Sequence, residues 1–455
     1  LGLRDEAKPW PVDLRLRNGD TTLALNGTVR EPLKLRGADL RVDLAGTDMA
    51  DLVPLSGVPF PNTPPFRLEG KVDYAEGRVR LLDANGKVGR SDIGGELTVS
   101  TAGSRPDVTA DLRSRSVDLA DLGGLIGGQP GRAGTPGQTR EQRAAQAREA
   151  AGQRLLPTTP VNMPRLTAAD VHLRYRADRI QGRNMPFDSL STEVDIVDGA
   201  VSLHPVSFGI GQGRLVANGT LTPTENGGLR AKIDVEVRRA DLSRLLGAAG
   251  AGGAGTLGGV VRVEGSGKSV AEILGRGNGE ATFVTVGGNV SSLLVDLSGL
   301  QFGNALLSAL GIPARSRIEC FIADFALQRG ALRSRTLLLD TDAHVAEGSG
   351  GLDLGGEQID LRLRTEPKRP TVASLPTPIR VGGTLKDPSI QPELAEAAAR
   401  AGAAVGLGIL FPPLALLPTI QLGVGENSAC EALQAAGERR KRGQQQQAPE
   451  GGGRR

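Results

Sequence analysis

The stretch "DTDAH", residues 340–344, comes nearest in this sequence to a metal site. Side chains on an extended chain alternate between faces, so Asp340, Asp342 and His344 would point the same way as carboxylate and imidazole donors. Carboxylates on a solvated strand are more often plain surface charge, so a metal site is the lesser expectation. "EGSGKSV" (264–270) resembles the end of a phosphate-binding loop, but Arg262 stands where that loop needs its first glycine, and a hairpin turn is expected instead. "GIGQGRL" (209–215) lacks the third glycine of a dinucleotide fingerprint and reads as a turn or bulge. His172 and His204 stand in separate segments without a visible partner, and no Ser/His/Asp or Cys/His arrangement stands out. The chain is therefore read as a non-enzyme, with no catalytic residue, metal ligand or cofactor expected.

Cys320 and Cys430 are too few for a disulfide framework or a zinc site. They make either one bridge or two buried thiols. A bridge in an oxidising compartment would close a long loop and contribute about 2–4 kcal/mol.

The elements that would carry these residues are mostly strands. "QIDLRLRTEP" (358–367) sets Ile359, Leu361 and Leu363 on one side and Asp360, Arg362 and Arg364 on the other. The same alternation recurs in "VDLRLR" (12–17), with Val12, Leu14 and Leu16, and in "KIDVEV" (232–237), with Ile233, Val235 and Val237. Hydrophobic residues make up 39% of the 455, yet aromatics only 3%, while the 64 glycines supply many turn signals, so a mainly β protein with few bulky core fillers is expected. Its net charge of +3 is spread as interleaved Arg and Asp/Glu rather than as a basic stripe, which excludes nucleic acid as a partner.

The chain divides into β segments at 1–126, 161–247 and 259–391, with a low-complexity insertion at 127–160 and a Gly/Ala-rich joint at 248–258. The insertion should hold a short exposed helix opened by Thr139 with Gln142 three residues on. Turns are expected at "NGTV" (26–29), "ANGKVG" (84–89) and "GGELTV" (94–99), and Asp51, Asp121 and Asp241 are expected to cap single helical turns. Residues 392–437 form an apolar helical cap, because Pro412, Pro413 and Pro418 interrupt what would otherwise be a membrane-length run, and 438–455 form a disordered basic tail. The opening "LGLRDEAKPW" has neither Met nor a leader and reads as the start of a fragment.

One-faced strands need a lid: a second sheet, helices, or something outside the chain. Either the protein is a row of β-sandwiches, or it is one elongated, curved antiparallel sheet forming a lengthwise groove, with short capping helices at its C-terminal end. Small aliphatic residues suit a groove in which acyl tails can shift. Each CH₂ removed from water is worth about 0.8 kcal/mol, so sheltering a lipid tail needs continuous apolar lining across many strands.

The ordered segments "MPFDSLSTEVDIVDGAVSLHPVSFGIGQGRLVANGTL" (185–221), "GKSVAEILGRGNGEATFVTVGGNVSSLLVDLSGLQ" (267–301), "CFIADFALQRGAL" (320–332), "PIRVGGTLKDPSI" (378–390) and "FPPLALLPTIQLGVGENSAC" (411–430) resemble the C-terminal half of the AsmA family. "NGKVGRSDIGGELTVS" (85–100) with "VDLADLGGLIG" (117–127) is similar to its middle region. The resemblance implies a Gram-negative envelope protein, held in the inner membrane by an N-terminal anchor that this chain lacks, with its body in the periplasm. It implies phospholipid acyl chains as cargo, a role in outer-membrane assembly and homeostasis, and outer-membrane or periplasmic proteins as further partners. It also favours a Cys320–Cys430 disulfide. On this expectation Val12, Leu14, Leu16, Ile233, Val235, Val237, Ile359, Leu361 and Leu363 line the groove. A scaffold that assists outer-membrane protein assembly through β-edge contacts is the alternative.

Overall fold

The computed structural model describes residues 9–31, 36–53, 58, 60–75, 77–126, 130–131, 138–152, 154–158, 160, 166–182, 186–241, 244, 255–288, 306, 308–313, 316–368 and 378–392. The expected helical cap beyond Pro392, the basic tail and Cys430 lie outside these residues.

Seven strands come first: β1 (Trp10–Asn18), β2 (Thr21–Glu31), β3 (Arg36–Gly46), β4 (Phe66–Ala75), β5 (Arg78–Val88), β6 (Ser91–Ser100) and β7 (Asp107–Ser114). Each pairs antiparallel with the next. The short β8 (Val117–Asp118) pairs with β10 (Ile180–Gln181) in a separate two-stranded sheet. Between them β9 (Asp170–Ala177) lies beside β7 and runs parallel to it. The antiparallel series resumes with β11 (Leu190–Val197), β12 (Ala200–Ile210), β13 (Gly213–Pro223), β14 (Leu229–Asp241), β15 (Thr256–Gly267) and β16 (Asn278–Val286). It ends with β17 (Ile318–Gln328), β18 (Ala331–Thr341), β19 (His344–Asp353), β20 (Gln358–Pro367), β21 (Ile379–Gly383) and β22 (Pro388–Pro392). Twenty of these strands make one open sheet with β1 and β22 at its edges, so the mainly β, single-sheet expectation holds and the row of sandwiches does not.

The parallel pair explains the insertion. Parallel neighbours cannot be joined by a hairpin and need a crossover of a dozen residues or more. Residues 115–169 supply it and include α1 (Arg140–Ala151). Its start is as the sequence predicts: the Gln142 N–H donates to Thr139 Oγ1 and the Thr139 N–H to Gln142 Oε1, both at 3.1 Å. A second short helix, α2 (Val270–Gly275), is capped by Ser269, whose hydroxyl accepts from the Glu272 N–H, so "GKS" opens a helix rather than a plain hairpin.

Three other expectations are corrected. Asn26-Gly27 is no turn but the middle of β2, where a Cβ on Gly27 would fall 2.1 Å from Asp39 O; the glycine is there for close strand approach. Gly95 stands likewise in β6, with φ +133° and Asp111 O at 2.1 Å from its would-be Cβ, whereas the "ANGKVG" hairpin turns only at its last residue, Gly89. The helical caps are Asp48 and Asp118, which accept from the N–H groups of Ala50 and Ala120, because an N-cap precedes the first helical residue where Asp51 and Asp121 already lie inside the turn. Asp241 is the last residue of β14.

Candidate functional site

Cross-strand partners share a face, so the register assigns both faces of the sheet residue by residue. Leu14 faces Leu25, Leu25 faces Val42, and Val72 of β4 continues the row to Leu81 of β5. The row passes through Val99, Val108, Val171 and Ile196 into Val201 and Leu221. It then runs from Ile233 through Val263, and on through Leu337, Gly348 and Leu363 to Ile379. Followed through all twenty strands, these pairings place Val12, Leu14, Leu16, Ile233, Val235, Val237, Ile359, Leu361 and Leu363 on one face. We call it the inner face.

The inner face is not uniform along its length. On β1, Leu14 is 41% and Leu16 51% exposed. At β7–β12, Leu119 and Leu122 pack on a buried cluster that includes Tyr175 and Leu190, and beside them Val58 from the β3–β4 connection is buried with Val108 and Ala169, with Phe60 and Val171 packed on that cluster. Val237 is buried with Ile210 and Ala240, while Ile233 and Val235 are half-buried. At the far end Leu306, Leu310 and Ile312 are buried in the cluster against which Ile359, Leu361 and Leu363 pack.

The outer face is charged and laced across strands. Arg67 Nη2 lies 2.6 Å from Asp43 Oδ2, and Arg262 and Arg335 both reach Glu280, at 2.6 and 3.2 Å, with Asp324 2.7 Å from Arg335. Hydrogen bonds from Arg335 and then Arg262 hold the Glu280 carboxyl below its ordinary range. The register also gathers residues that looked isolated in the sequence. His172 Nδ1 lies 2.6 Å from Asp195 Oδ1, and His204 Nε2 lies 3.6 Å from Asp195 Oδ2. Only the pairing of β9, β11 and β12 brings these three together, so no local signal could have found them.

"DTDAH" does not keep its alternation, because Asp342 and Ala343 form the β18–β19 turn. Asp340 is fully buried and ion-paired with Lys368 Nζ at 2.6 Å, and burial pushes the His344 imidazole below its ordinary value, partly opposed by Asp342. Among the described residues no group of three or more His, Cys, Asp or Glu could hold a metal ion. Cys320 is buried on the outer face beside Ile322, Leu338 and Val345, an apolar patch that alternation alone did not predict. Among the same residues no helix is long and apolar enough to cross a membrane.

A family model described as the AsmA family matches residues 1–337. The AsmA family protein YhjG of Escherichia coli (strain K12) is 31% identical over 442 residues, covering 95% of this chain and 64% of that protein. The chain thus spans less than two thirds of the length of that curated relative. No solved structure matches.

Proposed function

The chain belongs to the AsmA family of envelope-associated proteins, and on that premise we propose that it shelters phospholipid acyl chains on its inner face as the periplasmic part of an inner-membrane-anchored protein. In this reading it supports phospholipid transport between the inner and outer membranes, and through it outer-membrane assembly and homeostasis. The supporting observation is the apolar face that the register carries across twenty strands, covered by connections at β7–β12 and at the far end but with Leu14 and Leu16 uncovered at the β1 end. At about 0.8 kcal/mol per buried CH₂, a tail laid on the uncovered β1 end of this face gains shelter from water with each apolar side chain it meets. In this reading the headgroups project into water along the rim of the groove. A Cys320–Cys430 disulfide in the periplasm belongs to the same reading; its test is a mobility shift on reduction, which the C320S variant should lack.

Mass spectrometry of the purified protein tests the main claim. Phospholipid should accompany the chain and should be lost when Leu14 and Leu16 both become Asp. Protein free of lipid from a lipid-replete preparation would count against it.

One observation favours the scaffold reading. All nine residues of β1 pair with β2 and among the described residues no strand pairs with its other edge, whereas β22 is short and bounded by Pro388 and Pro392. Capture of an outer-membrane protein along β1 that ignores charges on the inner face would support the scaffold over the conduit.

A further inference from the structure

The parallel pair β7–β9 obliges the chain to return from one end of the strands to the other, and the first and last described residues of that return lie against the inner face. Val117 begins the crossover, buried in one cluster with Tyr175 and Leu190 on which Leu119 and Leu122 pack, and Ala169 ends it in the cluster of Val108, on which Val171 packs. Between these anchors the sequence of α1, "REQRAAQAREAA", offers no broad apolar face for packing. Polar contacts tie it down instead.

At one end Gln142 Nε2 donates to Thr47 O at 3.0 Å, just beyond β3. At the other, the buried carboxylate of Glu357 in the β19–β20 turn accepts from Arg154 Nε at 3.1 Å and from the N–H groups of Leu155 and Leu156 at 2.5 and 3.2 Å. Arg154 Nη2 also reaches Gly355 O at 2.8 Å, the Ala271 N–H reaches Pro157 O at 3.0 Å, and Lys386 Nζ donates to Gly152 O. Glu357 has φ +55°, a left-handed conformation that a non-glycine residue holds only when its surroundings impose it.

Following strand direction through the sheet places Thr47 at the end where β1 finishes, and Glu357 at the opposite end. From β3 to β20 there are fifteen strand-to-strand steps. At about 4.8 Å per step the path along the sheet is roughly 70 Å. The twelve residue-to-residue steps from Gln142 to Arg154, mostly helical at about 1.5 Å each, cover well under half of that. The sheet is therefore strongly curled, and the crossover bridges its two rims.

We propose that this crossover is a releasable brace: the Glu357 clasp fixes the separation of the rims, and its release widens the groove so that acyl chains can enter. The second clause rests on the lipid reading; the first does not. Local opening of a segment held by a few polar contacts needs far less free energy than unfolding the sheet, so the brace can let go while the strands stay paired.

The test compares the intact chain with E357A and, because a buried site can fail to fold, with R154Q at the half-exposed partner. Trypsin cleavage after Arg140 and Arg143 should quicken about tenfold in E357A and less in R154Q, with the β-sheet melting curve unchanged. Spin labels at exposed Asp51 and Asp387, on opposite rims, should move apart by about one strand spacing, ~5 Å. Uptake of fluorescent phosphatidylethanolamine from phosphatidylethanolamine/phosphatidylglycerol vesicles should rise several-fold. Folded variants with unchanged cleavage and label distance would overturn the brace, and widened rims with unchanged uptake would overturn its gating role. Widened rims with no uptake by any form, the intact chain included, would instead sink the lipid reading and leave the brace standing.

Discussion

The two ends of the sheet carry the same alternation and use it differently. On β1 the inner-face leucines stand open to solvent, at 41% and 51% exposure. On β20 Ile359, Leu361 and Leu363 lie against Leu306, Leu310 and Ile312. The strands do not differ in kind; the connections do. A two-residue turn, Gly19-Asp20, joins β1 to β2 and can cover nothing, whereas the long connection between β16 and β17 returns three apolar side chains to the inner face. Alternation decides which face is apolar, and the connections decide whether that face becomes a core or a groove.

Substituting Asp at equivalent positions should separate the two ends most sharply. Leu361→Asp puts an unpaired carboxylate into the packed end and should cost about 3 kcal/mol or more in urea unfolding, whereas Leu14→Asp should cost less than about 1 kcal/mol. Equal losses would erase the distinction. The binding side of the comparison runs the other way: Leu14→Asp together with Leu16→Asp should weaken binding of a fluorescent fatty acid about tenfold without shifting the melting curve.

A smaller effect comes from the middle of the sheet. Asp121 accepts from the N–H groups of Arg90 and Ser91 and from Ser91 Oγ, yet burial outweighs these bonds and raises its carboxyl above the ordinary range. A raised folded-state value means that the folded chain binds the proton more tightly than the unfolded one. The associated stability is complete below the ordinary carboxylate value and is lost as pH rises through the raised one. The difference in Tm between the native chain and Asp121→Asn should therefore change with pH across that window and stay flat above it. The smallest effect belongs to the outer face, where Glu280→Gln should cost less than about 1 kcal/mol, a loss that fades in about 0.5 M salt.

Much of the fold was legible because a period of two is written directly in residues such as Leu14, Val235 and Leu361, all of which the register places on one face. The Thr139–Gln142 cap was legible for the same reason: both partners sit within one turn of chain. What escaped depends on partners distant in sequence. Nothing near residue 107 announces that β7 will take a parallel neighbour, and nothing near Leu306 says which strands it will cover. Asn26-Gly27 misled because glycine serves both turns and close strand approach, and only Asp39 O at 2.1 Å from the would-be Cβ decides between them. The meeting of His172 and His204 at Asp195 needed three strands in register.

Neighbouring residues on β1 offer the most direct test of the central claim. A photoreactive amino acid at Leu14 points to the inner face, and the same group at Arg15 points to the outer one. Irradiation in living cells should attach phospholipid at Leu14 and leave Arg15 unmodified. Equal labelling at both positions, or none at Leu14 while the protein is folded and in place, would contradict the account.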